Sequence, residues 1–160
     1  MKKKPVDEIK TENARNTVIN QHKKFGKTIS VNGCFGSSNI GQKAGFIARE
    51  IVKQIPNAFM RCPIAAYPEI EGPTQVLLHD DHHVVIDGCK AKCLAKSYEK
   101  MGLKVDLSYA LDEHFSCEKK PGPDFDEEKM KEISEKIIKD IKEKILKTPP
   151  EFFSNEKNSH

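Results

Sequence analysis

The sequence predicts a three-layer α/β domain built on a mostly parallel sheet of about four strands. Short apolar runs alternate along the chain with segments of helical periodicity, the pattern of βαβ units. One run, Val84-Val85-Ile86, is continuously apolar, as a strand covered on both faces must be. Right-handed crossovers then bring the strand-to-helix turns to one rim, the edge where Rossmann-like sheets build ligand sites.

Taken in order, residues 1–26 are polar and read as an N-terminal extension, holding at most a short helix from Val6 to about Asn20. The first strand spans about 27–32, and a glycine-rich turn follows from Gly33 to Gly41. Ala44, Ile47, Ala48, Ile51 and Val52 stand at helical spacing within 42–53, and Ile55-Pro56 ends that helix. A second strand covers about 58–61. Pro63, Pro68 and Gly72 make 63–72 a loop, and a helix is expected over 73–78, because proline suits a first turn. The third strand is 84–87. The helix after it runs from about Cys89 to Lys100, with Gly102 as its cap. A fourth strand, 104–111, alternates Val105, Leu107 and Tyr109. Pro121-Gly122-Pro123 breaks the chain before a long helix over 125–147. Its stripe of Met130, Ile133, Ile137, Ile141 and Ile145 suits a core or an interface equally. The organisation expected is an extension (1–26), a single α/β metal-binding domain (27–148) and a disordered tail (149–160).

Composition narrows the function classes. With 160 residues and 37% apolar content the chain can bury a core without covalent staples. A net charge of +3, with most lysines near the ends and no basic patch interleaved with aromatics, gives no support for nucleic acid. No apolar run is long enough to span a bilayer, so no membrane partner is expected. The N-terminal lysines lead into polar residues rather than the apolar core of a signal peptide, and a cytoplasmic address is expected. In that compartment five cysteines point to metal or redox chemistry rather than disulfides.

Four of them, Cys34, Cys62, Cys89 and Cys93, each follow an apolar run, so a parallel sheet would deliver all four to one rim. Cys89 and Cys93 would share one face of the helix expected there, at a spacing that can grip one ion. Zinc takes four such ligands in a tetrahedron, at about 2.3 Å per sulfur. An iron–sulfur cluster uses the same four thiolates. His114 and Cys117 are possible additional ligands from the loop after the fourth strand. The cluster His79-Asp80-Asp81-His82-His83 precedes the third strand and reads as a polar turn at the opposite end of the sheet.

A different chemistry is also open. Cys34 in a turn before a helix could serve as a nucleophile, with Cys89 and Cys93 cycling between dithiol and disulfide at a helical Cα separation of about 6 Å. The segment Gly33–Gly41 is similar to an anion-cradling loop but lacks the P-loop lysine and the full dinucleotide fingerprint. Ile40 stands where a cysteine phosphatase would carry its arginine.

The segment Ile86-Asp87-Gly88-Cys89-Lys90-Ala91-Lys92-Cys93 resembles the signature of the DGC domain family, named for its Asp-Gly-Cys. Cys34, Gly36, Ser38-Asn39 and Gly41 fall in place with that family's first turn, and Cys62 matches a further cysteine. The resemblance runs from about Ile29 to about Leu111. It implies a small α/β domain that binds zinc, with Cys34, Cys62, Cys89 and Cys93 as the metal ligands and Asp87 shaping the turn or supporting a ligand. It brings no reaction with it. The lysine-rich start, the His114 and Cys117 pair and the charged last helix lie outside the shared pattern. The reading that results is a zinc-binding protein for metal handling or an accessory role, its four thiolates giving a net charge of about −2, offset by Lys90, Lys92 or Lys43.

Overall fold

A computed structural model describes residues 1–147. At its centre lie four strands, β1 (Ile29–Gly33), β2 (Ala58–Phe59), β3 (His82–Asp87) and β4 (Leu107–Ala110), in the order β2-β1-β3-β4. Every pairing is parallel, with Val31 beside Val84 and Val84 beside Leu107. Alternation along the strands divides the two faces. Ile29, Val31, Val84 and Ile86 point into a core shared with α2 (Asn39–Gln54) and α7 (Glu127–Lys144). Val85 points the other way, toward α3 (Pro63–Ala66), α4 (Glu71–His79) and α5 (Cys93–Lys100). The three-layer parallel α/β architecture expected from the sequence is the one observed.

The differences have local causes. The N-terminal segment is not a loose extension: α1 (Glu12–Phe25) packs on α4, and Ile9, Ala14 and Val18 are buried together against Val76. Three apolar side chains so widely spaced leave no visible periodicity, which is why the segment reads as polar. Glu71 ties it down, accepting from the Thr11 N–H and hydroxyl, and the Lys4 ammonium beside it pulls its carboxyl down to about 2. The loop expected over 63–72 contains α3, and α4 starts at Glu71 rather than Pro73. Strand β4 is shorter than expected at both ends: pairing with β3 begins only at Leu107, and Leu111 opens a four-residue helix, α6 (Leu111–His114). Helix α7 starts at Glu127, where the Asp126 carboxylate accepts from the Glu128 and Lys129 N–H groups. Its stripe of Met130, Ile133, Ile137 and Ile141 lies in the core against α2, so core rather than interface accounts for it. The tail expected over 149–160 lies outside the described residues.

The second face of the sheet carries a buried polar layer. Ser30 Oγ lies 2.7 Å from His83 Nδ1. Asn32, 2% exposed, donates to the Tyr98 hydroxyl at 2.8 Å and accepts from the Arg61 N–H at 2.9 Å. Arg61 in turn donates to both oxygens of the buried Asp80 and to Gln21 Oε1. One side chain at the end of β1 therefore fastens both the segment leaving β2 and helix α5.

Replacing Asn32 with Leu is expected to lower the unfolding free energy by about 1–3 kcal/mol, because the Arg61 N–H loses its acceptor and the Tyr98 hydroxyl loses one side-chain partner, keeping Ser30. Urea unfolding measures it. Adding Tyr98→Phe should return less than about 1 kcal/mol, because Ser30 still partners that hydroxyl in the single variant. A single variant as stable as the parent would show that the amide fastens nothing.

Candidate functional site

Cys34 is the residue immediately after β1, in the middle of the sheet. Its N–H donates to Ile86 O at 3.0 Å, which extends the parallel ladder one step past the strand. Its sulfur accepts from the Gly88 N–H at 3.2 Å and from the Gly36 N–H. Burial nonetheless pushes the thiol above the ordinary cysteine range, against the pull of these two N–H bonds, and Asp87 and Cys89 push the same way. A thiol so placed is protonated at neutral pH, which weakens its case as a free nucleophile.

The Asp-Gly-Cys turn has a specific physical basis. Asp87 is 1% exposed, and its two oxygens accept from the Leu94 N–H at 2.8 Å and the Ala95 N–H at 3.0 Å. A strand-end carboxylate thus caps α5 from outside the helix. Burial holds that carboxyl above the ordinary aspartate range despite the two bonds. Gly88 is required by contact, since a Cβ there would stand 2.7 Å from the backbone of Ile40 in the first turn of α2. The two motifs noted in the sequence are pressed against each other at this point.

The cap also corrects the expected helix over 89–100. Helix α5 begins at Cys93, and the residues from Cys89 to Lys92 form a turn in which the Lys92 N–H donates to Cys89 O, with Lys92 at φ +52°. Cys89 and Cys93 are not successive positions on one helical face. The gripping argument from i,i+4 spacing, and the helical Cα separation invoked for a disulfide, both lose their basis.

Two cavities meet at this rim. One of about 540 Å³ has Cys34, Cys62 and Cys93 on its wall, with Asn32, Arg61 and Phe35. The other, about 210 Å³, carries Cys34, Cys89 and Cys93 together with Ser37, Ser38 and Lys119. Cys34 and Cys93 are common to both. Cys62 and Cys93 are exposed, and Cys34 and Cys89 are half-buried. Among the described residues, no three or more His, Cys, Asp or Glu side chains are gathered closely enough to hold a metal ion as they stand. The chemistry of the donor set suits a soft divalent ion, being four thiols with N–H donors already aimed at the central sulfur. Holding one ion with all four would require side chains to move from their present positions.

The remaining sequence candidates lie elsewhere. Cys117 is 5% exposed within the core, where burial pushes its thiol up. His114 Nδ1 accepts from the Ala110 N–H at 3.0 Å, and its ring packs on Tyr109. Neither lines the two cavities. Residues 79–83 lie at the amino end of β3, where the Asp81 carboxylate accepts from the Thr28 N–H. Of the lysines expected to offset charge, Lys92 is held by Glu113 at 2.8 Å. Sequence reasoning missed Asn32, Arg61 and Lys119. The signal for Asn32 was a polar residue at the end of an otherwise buried strand.

Substituting Asp87 by Ala is expected to cost about 1–2 kcal/mol of stability through loss of the cap. It should also fray the start of α5, so that Cys93 alkylates faster relative to Cys62 in a mass-spectrometric time course. An unchanged ratio would separate the cap from the placement of the thiol.

The sequence pattern of the DGC domain family matches residues 30–137, a span that includes all four rim cysteines and the Asp87-Gly88-Cys89 turn. No curated protein and no solved structure matches the chain at a significant level. With more than half of its length under that pattern, and with Asp87 and Gly88 each accounted for by a contact at the rim, the chain belongs to the DGC domain family.

Proposed function

We propose that the rim is a zinc-binding site used for metal handling, with Cys34, Cys62, Cys89 and Cys93 as its ligands. The observation that carries this reading is that four thiols from three strand ends line two adjoining cavities sharing Cys34 and Cys93. Zinc imposes little geometric preference of its own and takes thiolates readily. When bound it would supply a compact positive charge that offsets two of the four thiolate charges and leaves the site at about −2.

The chain's own residues divide the work. Cys34 is the fixed point, with its sulfur seated on the Gly36 and Gly88 N–H groups. Cys62 precedes α3 and Cys93 opens α5, both exposed, so these are the ligands that can engage and leave. An accessible pair beside an anchored thiol suits uptake and release better than a closed structural site does. Each thiol gives up a proton on ligation, so affinity rises with pH.

Elemental analysis of protein purified without chelator and without air is expected to give about one zinc per chain. Cys34→Ser should abolish the zinc, whereas Cys117→Ala should keep it, because that thiol lies in the core. Competition with a chromophoric chelator should show affinity rising about tenfold or more from pH 6 to pH 8. Iron in place of zinc would move the protein to cluster chemistry. A metal-free chain that takes up no zinc would overturn the reading.

A further inference from the structure

The cavity of about 540 Å³ lies at the carboxyl ends of the strands, and its volume is within the range of small-molecule sites. Phe35, Ile64 and Leu94 give it an apolar wall, Cys34, Cys62 and Cys93 give it sulfur, and Tyr67, at the end of α3, gives it a hydroxyl. Ile64 is 82% exposed and Phe35 53% exposed, so large apolar groups stand in water beside the space. Phe35 has a left-handed backbone, φ +49°, and its ring lies where a Cβ on Gly45 would come within 2.2 Å of it. A bare glycine thus gives that ring its seat on the wall.

The hydrogen-bonding capacity left over at this wall is mostly donor capacity. Lys100, in the last turn of α5, stands against Tyr67 with its Nζ 5.3 Å from the ring centroid. Its ammonium donates to the Tyr67 hydroxyl, which keeps its own O–H free to donate and leaves the ammonium two further N–H groups. Among the described residues no carboxylate pairs with Lys100 and no acceptor takes the Tyr67 O–H. Arg61 adds the N–H groups of Nη1, whereas its Nε and Nη2 are used on Asp80 and Gln21 and its charge is offset by Asp80. Apolar surface beside an unpaired cation and a free O–H is complementary to an acceptor that is itself charged.

We propose that this cavity binds a small amphipathic organic carboxylate, with its hydrocarbon against Phe35, Ile64 and Leu94 and its two oxygens on the Tyr67 hydroxyl and the Lys100 ammonium. A carboxylate has two acceptor oxygens for two adjacent donors, and charge-assisted bonds are the stronger kind. A neutral alcohol would leave the Lys100 charge unanswered, and an ammonium would be repelled by it. The proposal does not rest on the zinc reading, since no thiol takes part in holding the ligand. Cys93 and Lys100 are seven residues apart on α5, about 10 Å along its axis, so a carboxylate held by Lys100 stands clear of a metal held by the cysteines.

The test uses the full reduced chain, metal-free and zinc-loaded, with 3-phenylpropionate, 3-phenylpropanol, 3-phenylpropylammonium and acetate as probes in ligand-observed NMR titrations. In the metal-free chain 3-phenylpropionate should bind about tenfold more tightly than the alcohol or acetate, with the ammonium probe weakest. Lys100→Gln should weaken 3-phenylpropionate about tenfold and leave the alcohol unchanged, whereas Lys119→Gln, on the other cavity, should change neither. Ile64→Glu should weaken both phenyl probes about tenfold. Lys100 and Ile64 are exposed, so these two variants should keep the parent's melting temperature. Zinc loading should weaken 3-phenylpropionate only about two- to fourfold, through screened repulsion from a site of net charge about −2. No saturable binding of 3-phenylpropionate to the folded chain, equally tight binding of the alcohol, or indifference of the carboxylate to Lys100→Gln would overturn the proposal. If the order of probes holds and zinc does not bind, the metal reading falls and this one stands. If zinc binds and the order fails, the reverse is true.

Discussion

The rim depends on the amide of Asn32. A parallel sheet aligns strand ends, but it does not position the residues beyond them, and β2 is only two residues long, paired with Ile29 and Ser30 alone. The backbone ladder has stopped before the chain reaches Cys62. Asn32 Oδ1 takes over, accepting from the Arg61 N–H where the next ladder bond would have fallen. Its Nδ2 reaches across to Tyr98 in the middle of α5, the helix that Cys93 opens. Cys34, Cys62 and Cys93 are thus tied to one buried group two residues from the first of them. The arrangement is costly to break, because the low-dielectric interior penalises every partner left behind.

The family turn adds the other half of the scaffold. Asp87 caps α5 and sets where that helix begins, while Gly88 allows β3's exit to lie flat against the start of α2. The same close approach recurs inside the first loop, where a Cβ on Gly41 would stand 2.4 Å from Gly36 N. Small residues bring three backbone segments into contact around the Cys34 sulfur. Two backbone N–H groups are left to address it, a job no side chain there performs.

Much of this was legible in the sequence. The runs ending at Val31, Met60, Ile86 and Leu111 were strong enough to predict four strands, and their alternation with helical segments predicted parallel pairing. The common rim for Cys34, Cys62, Cys89 and Cys93 followed from topology alone. What could not be read depends on contacts between distant residues. The start of α5 is decided by a carboxylate in the preceding strand, whereas a local reading placed it at Cys89. The packing of Ile9, Ala14 and Val18 depends on Val76, far along the chain. Cys117 was a possible additional ligand because the loop after the fourth strand could reach the rim, but Leu111 O holds its N–H and the core surrounds its side chain.

Electrostatics bears on how such a rim can operate. Four thiolates on one centre repel one another, and burial at Cys34 already favours the neutral thiol. Neutral thiols have no strong attraction that would gather them, since S–H is a weak donor. On the zinc reading proposed above, the drive to converge would come from the cation, and the protons would leave as it arrives. On that reading, placing two of the four thiols on exposed segment ends would keep the convergence reversible, because the anchored sulfur, the Asn32 bonds and the Asp87 cap need not move with them. On the same reading, a rigid scaffold carrying exposed terminal ligands would separate the energy of the fold from the energy of binding. Such a separation would allow affinity to be tuned at Cys62 and Cys93 without unfolding the sheet.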